Sequence, residues 1–179
     1  MKFEEKQLSH DLKYECFFMK LYEDEVLLPN NKTSKRIYLK HSSAAAILPI
    51  TKEGKIILVK QYRYPIQAIS IEIPAGKKDA IDELGLTCAV RELEEETGLG
   101  SDNFNHVMDI HTCVGYSNEV IELFIATECY KIDNPKPGDD DEFVEVMEVT
   151  EAEAKKLIKT NQIKDSKTLI ALQNYFLGE

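Results

Sequence analysis

The segment from Glu72 to Leu99, EIPAGKKDAIDELGLTCAVRELEEETGL, constrains the fold more than any other part of the chain. Before it, Ile69 to Ile73 alternates apolar and polar residues and reads as a strand, which Pro74-Ala75-Gly76 halts to open a loop. From Leu86 to Thr97 the spacing predicts a helix with Gly85 as N-cap, Leu86, Ala89, Val90 and Leu93 as its buried stripe, and Gly98 as the C′ residue. On that helix Glu92, Glu95 and Glu96 stand at i, i+3 and i+4 and share one face. Like charges at this spacing repel, and these crowd a helix C-terminus, where the macrodipole already disfavours anions. A cation should sit there. Arg91 is one candidate, and a divalent metal taking several carboxylate oxygens is another. Glu94 points away from the other three and is expected to be an exposed charge.

Around this unit the chain is rich in strands. Leu12 to Leu28 reads as one or two strands broken near Glu23 and Asp24, with a turn at Pro29-Asn30-Asn31 and a return strand from Lys35 to His41. Ala44 to Pro49 and Lys55 to Tyr64 form a central hairpin, and Val107 to Cys113, Val120 to Thr127 and Phe143 to Val149 give three further strands. Thr150, with Glu153, caps a helix over Glu151 to about Lys159, and Asp165 or Ser166 caps a last helix whose Leu169, Leu172, Tyr175 and Phe176 face the core. The resulting expectation is an α+β sandwich with mixed or antiparallel pairing.

With 179 residues, a net charge of −10, 43% hydrophobic and 30% charged residues, the chain can build a sizeable core. Its acidic balance argues against nucleic acid as a partner, because phosphate backbones require clustered Lys and Arg. Cys16, Cys88, Cys113 and Cys129 form no CxxC or tight framework, which points to reduced thiols in a cytoplasmic protein. No leader pattern or long apolar run is evident, so neither export nor a membrane partner is expected.

Gly76, Glu83, Arg91-Glu92-Leu93, Glu95-Glu96 and Gly98-Leu99 together resemble the signature of the Nudix hydrolases, which hydrolyse a nucleoside diphosphate linked to another moiety. Six residues separate Gly76 from Glu83 where the family pattern has five, while the spacing from Glu83 to Leu99 is intact. Glu72-Ile73-Pro74-Ala75-Gly76, Gln61-Tyr62-Arg63, the Gly115 to Glu119 loop and the acidic Asp139 to Glu142 loop are similar to the ADP-ribose pyrophosphatase group, although Val114 replaces a proline that marks that group. The resemblance implies an α/β/α sandwich with a mixed sheet over residues 42–179, preceded by a short N-terminal β-hairpin subdomain over residues 1–41 that helps form a homodimer. It also implies hydrolysis of ADP-ribose or a related ADP-sugar to AMP and a sugar phosphate. Alternatives are a GDP- or UDP-sugar, a dinucleoside polyphosphate, NADH, or a Nudix-like module that senses a nucleotide-sugar without cleaving it.

The chemistry of these residues agrees. A pyrophosphate bridge repels a nucleophilic water, so cleavage needs cations on its oxygens and a base for that water. Hard oxygen donors at Glu92, Glu95 and Glu96 suit Mg²⁺ or Mn²⁺, and the resemblance adds the backbone carbonyl of Ala75. Arg91 is expected to orient the glutamates together with Glu83. Glu142, then Asp140, are the expected general bases, since the family places that group outside the signature, often in the loop before the late strand. Arg63 is expected to contact a phosphate, Arg36 and Tyr62 to pack around the base, and Glu119, similar to a loop glutamate of the group, to lie near substrate. Glu72, which opens the EIPAG run, joins the substrate-binding set. His10, His41, His106 and His111 show no ligand spacing, and no Ser, Cys or Lys stands in a nucleophile motif, so water is the expected nucleophile.

Overall fold

The computed structural model describes residues 2–80, 82–138 and 143–178. The chain forms two compact units, Met1–Ser43 with His111–Val120, and Ala44–Ile110 with Ile121–Glu179.

In the first unit, β1 (Lys6–Gln7), β2 (Leu12–Glu15), β3 (Met19–Leu27) and β4 (Thr33–His41) form an antiparallel sheet. β3 pairs along its whole length with β4, from Met19↔His41 to Leu27↔Thr33, and carries β1 and β2 on its other side. The expected break near Glu23 and Asp24 falls instead at residues 16–18. Asp24 can stay inside the strand because, although buried, it accepts hydrogen bonds from Gln7 Nε2, from Tyr38 OH at 3.0 Å and from Asp11 N at 3.3 Å. The 114–119 loop belongs to this unit, where Leu39 N donates to Tyr116 O at 2.7 Å and His41 N to Asn118 Oδ1 at 2.8 Å.

The second unit begins with β5 (Ala44–Thr51) and β6 (Ile56–Arg63), followed by a 3₁₀ turn (Tyr64–Ile66), β7 (Ala68–Glu72) and β8 (Ala75–Lys77). Then come α1 (Gly85–Thr97), β9 (Leu99–Gly100), β10 (Asn103–His111) and β11 (Val120–Lys131). β12 (Val144–Val149), α2 (Glu151–Lys159) and α3 (Ser166–Leu177) complete it. The strand order is β10-β11-β5-β6-β12, with β7 on β6, β8 on β5 and β9 on β11. β11 runs parallel to β5 while β6, β7, β8 and β12 pair antiparallel, so the sheet is mixed. The central hairpin exists only at its turn, where Ile50 pairs with Ile56; beyond it the two strands take different partners.

β5 is apolar on both faces because helices cover both. Ala44, Ala46, Leu48 and Ile50 pack with Ala154, Ile163, Ala171 and Leu172 on the α2–α3 side, whereas Ala45 and Ile47 pack with Cys88, Ala89 and Leu93 of α1. This is an α/β/α sandwich. α1 begins one residue earlier than expected, with Leu84 rather than Gly85 at the N-cap. Gly85 sits within the helix, where an added Cβ would overlap the Glu122 carboxylate. The buried stripe is also rotated: Leu86 and Val90 are exposed, and Cys88, Ala89, Glu92, Leu93 and Glu96 are buried. α2 carries the expected capping box of Thr150 and Glu153, and Asp165 caps α3 by accepting from Thr168 N. Among the described residues, no helix is long and apolar enough to cross a membrane.

Candidate functional site

β7 ends at Glu72, opposite Val59 on β6, and the next paired residue, Ala75, lies against Ala46 on β5. Across Ile73 and Pro74 the chain therefore changes partner strand. The expected loop after Pro74 is in fact this crossing followed by β8. Two hydrogen bonds hold it: Ile73 N donates to Thr168 Oγ1 at 2.8 Å, and Pro74 O accepts from Ile47 N at 2.9 Å.

β8 is then fastened to α1. Gly76 leaves room for the Glu92 carboxylate, which a Cβ at that position would displace. The Cys88 thiol donates toward the carbonyls of Gly76 and Lys77 at 3.5 and 3.4 Å. Burial, reinforced by the Glu92 charge, pushes that thiol up to about 12, so it remains a neutral donor. Arg91 Nη2 donates to Lys77 O at 2.9 Å, while Nη1 bridges Glu92 Oε1 at 2.7 Å and Glu95 Oε2 at 3.1 Å. Its Nε lies 3.4 Å from Asp79 and 3.8 Å from Glu83, which itself accepts from Asp79 N at 2.6 Å. Burial pulls the Arg91 pKa down, but the Glu92 charge and the Glu95 hydrogen bond outweigh it and raise it. One guanidinium thus gathers the acidic residues and the β8 backbone into a single cluster.

Glu92 and Glu96 are 6% and 8% exposed, so two carboxylates one helical turn apart have left water almost completely. Burying charge in this way is costly unless opposite charge accompanies it. Glu95 lies nearer the rim, with 22% of its side chain exposed.

A second cluster borders the first. Arg63 Nε and Nη2 grip the Glu72 carboxylate at 2.9 and 2.7 Å, and Lys167 Nζ donates to Glu72 Oε2 at 2.6 Å. Burial acting alone would raise the Glu72 pKa, but the Arg63 hydrogen bond and the Lys167 charge hold it at about 2. Hydrogen bonding to Glu72 raises the Arg63 pKa, with further contributions from the charges of Glu72, Glu96 and Asp165. Tyr62, beside Arg63 on β6, is 55% exposed.

Arg36 and Glu119 belong to the other unit. Arg36 forks onto Glu5 and also donates to Ser34 Oγ and Lys35 O, while Glu119 accepts from Thr112 Oγ1 and pairs with His41 at 3.3 Å. Glu142 and Asp140 lie outside the described residues. Just before them, Lys136 N donates to Glu94 Oε1 at 3.0 Å and Lys136 Nζ approaches Glu94 Oε2 at 3.7 Å. Glu94 is therefore not the free surface charge expected from sequence; it ties the 135–138 segment to α1. Elsewhere, His106, Asp109 and Glu122 bring ligand atoms within 4.8 Å of one another, but Lys78 already neutralises Glu122.

A sequence model of the NUDIX domain matches residues 40–171. The chain belongs to the Nudix family. This Nudix chain is 42% identical over 176 residues to an ADP-ribose pyrophosphatase of Bacillus subtilis (strain 168), covering 98% of the chain and 95% of the relative. It is 41% identical over 177 residues to a methanol dehydrogenase activator of Bacillus methanolicus, covering 99% and 95%. The crystal structure of an ADP compounds hydrolase matches with a TM-score of 0.82 at 18% identity, covering 98% of this chain and 95% of that one, and so shares its fold.

The donors of the Nudix segment fit a divalent metal. They are hard carboxylate oxygens, and Gly76 leaves the cradle into which Glu92 folds. Sequence reasoning missed Lys167, Thr168 and Cys88. Only Lys167 left a signal, a cation in the first turn of a helix, where the macrodipole opposes it.

Proposed function

We propose that this Nudix hydrolase cleaves the pyrophosphate of ADP-ribose or a related ADP-sugar, giving AMP and a sugar phosphate. The observation that carries the reading is the gathering of Glu92 and Glu95 on one Arg91 guanidinium, against the Gly76 notch and beside buried Glu96. The nearly full-length similarity to a protein named ADP-ribose pyrophosphatase supports the substrate class.

Glu92, Glu95 and Glu96, with the Ala75 carbonyl, would hold Mg²⁺ or Mn²⁺. When bound, such a metal supplies positive charge to the phosphate oxygens and acidifies a coordinated water. Arg91 keeps the carboxylates converged before substrate arrives, which removes a reorganisation cost from the reaction. Arg63, with 42% of its side chain exposed, offers its remaining donors to a phosphate, and Tyr62 its ring to the base. Arg36 and Glu119 are assigned to substrate, Glu72 to the support of Arg63, and Glu142, then Asp140, to removal of the proton from the attacking water. Water oxygen bonds to one phosphorus as the bridging P–O bond breaks, and the leaving phosphate departs as the second product. Residues 1–41, which expose Leu12, Tyr14, Phe17 and Ile37, are assigned to self-association into a homodimer of the cytoplasm, with residues 42–179 as the hydrolase domain.

A substrate panel of ADP-ribose, other ADP-sugars, GDP- and UDP-sugars, dinucleoside polyphosphates and NADH, ranked by kcat/KM with Mg²⁺ and Mn²⁺, tests the assignment. ADP-ribose or another ADP-sugar should rank first, and Glu96→Gln should lower kcat by at least about 10²-fold while the fold persists. Wild-type kcat in that variant at saturating Mg²⁺ would remove Glu96 from the ligand set.

A further inference from the structure

We propose that Lys167, on α3, is a positioning residue for the reaction: with Thr168 it locks the Glu72–Arg63 pair and the Ile73–Pro74 crossing, so that Arg63 meets a substrate phosphate in one orientation. The proposal rests on the pyrophosphatase reading above and extends it to a helix outside the signature.

Lys167 is 7% exposed and sits in the first turn of α3, where desolvation and the helix dipole both oppose its charge. Two carboxylates offset that cost, Glu72 at 2.6 Å and Asp165 at 3.1 Å. Oε2 of Glu72 accepts from Lys167 on one side and from Arg63 Nη2 on the other, and Oε1 accepts from Arg63 Nε. A carboxylate held by both cations cannot rotate without breaking charge-assisted bonds, so the plane of the Arg63 guanidinium is fixed by a residue of α3.

Thr168 extends the lock to the backbone. Its hydroxyl accepts from Ile73 N and donates to Asp165 Oδ2 at 2.6 Å, so the first turn of α3 holds the chain at the point where it leaves β6 and turns toward β5. Ala75 and Gly76 follow immediately. The orientation of Arg63 and the placement of the signature backbone therefore share one support.

The test compares wild type, Lys167→Met, Lys167→Arg, Arg63→Ala and the Lys167→Met/Arg63→Ala pair, with ADP-ribose and Mg²⁺. Lys167→Met should raise KM about tenfold while kcat changes less than about threefold, because a charge-assisted bond that fixes a ligand contact is lost. Lys167→Arg should restore most of the loss, and in the Arg63→Ala background Lys167→Met should change KM no further. In ¹⁵N NMR, the Arg63 Nε–H should exchange slowly in wild type and quickly in Lys167→Met. Should Lys167→Met not fold, Thr168→Val keeps the charges and should raise KM about threefold only when Arg63 is present, while any kcat loss transmitted through the Ile73–Pro74 crossing should appear in both backgrounds. An unchanged KM, a loss confined to Tm and active fraction, or a KM effect that persists without Arg63 would overturn the proposal. If wild type cleaves no pyrophosphate, the functional reading falls, and Arg63 Nε–H exchange unchanged by Lys167→Met then overturns the positioning role on its own.

Discussion

Glu72 shows what one side chain contributes here. Its folded pKa of about 2 lies below the ordinary 4.5 because Arg63 and Lys167 more than offset its burial. Folding therefore favours the ionised form. The associated stability, about 3 kcal/mol, is present in full above about pH 4.5 and is lost as the pH falls toward 2. Urea midpoints followed from pH 7 to pH 2.5 should fall more steeply in wild type than in Glu72→Gln; parallel slopes would contradict this. Gly76→Ala is a second residue-level case. Its methyl overlaps the Glu92 carboxylate, so β8 or Glu92 must move, and kcat/KM should fall by at least about tenfold even in folded protein. The glutamates and Arg91 were legible in sequence because their relation is set by helical spacing over the six residues from Arg91 to Glu96. Lys167 was not, because its partner Glu72 lies 95 residues away and no local pattern connects them.

Among the elements, α1 was legible in existence and in its end but not in its facing. Periodicity assumes that charged residues turn to water, so Leu86 and Val90 were assigned inward. In this helix Glu92 and Glu96 take the inward positions, and the two aliphatic residues are left 43% and 40% exposed. The short β8 was hidden for another reason: three residues after a proline carry too little pattern to mark a strand, and only the partner β5 defines it. The end of α1 depends on Gly98 at φ 68°, whose N–H closes on Glu94 O at 2.8 Å. Gly98→Ala should destabilise the protein by about 1 kcal/mol, measured as a shift in urea midpoint at constant m-value.

Across the whole molecule, fold class and family were readable because a spaced signature and the order of strands and helices survive errors of one or two residues at element ends. The membership of the 114–119 loop in the N-terminal unit was not, since it rests on hydrogen bonds from Leu39 N to Tyr116 O and from His41 N to the Asn118 side chain. A chain of net charge −10 with buried carboxylates should gain stability from a divalent cation. At Mg²⁺ one hundred times its Kd the gain should reach about 2.7 kcal/mol, seen as a rise in Tm that EDTA reverses and Glu96→Gln abolishes. The strand crossing at Ile73 and Pro74 also sets an order of events in translation. The signature helix is synthesised well before Lys167 and Thr168, so the nascent chain holds its acidic cluster without the support of α3. Completion of the site must wait for the last helix, and any truncation that removes α3 leaves the signature residues present but their scaffold unfinished.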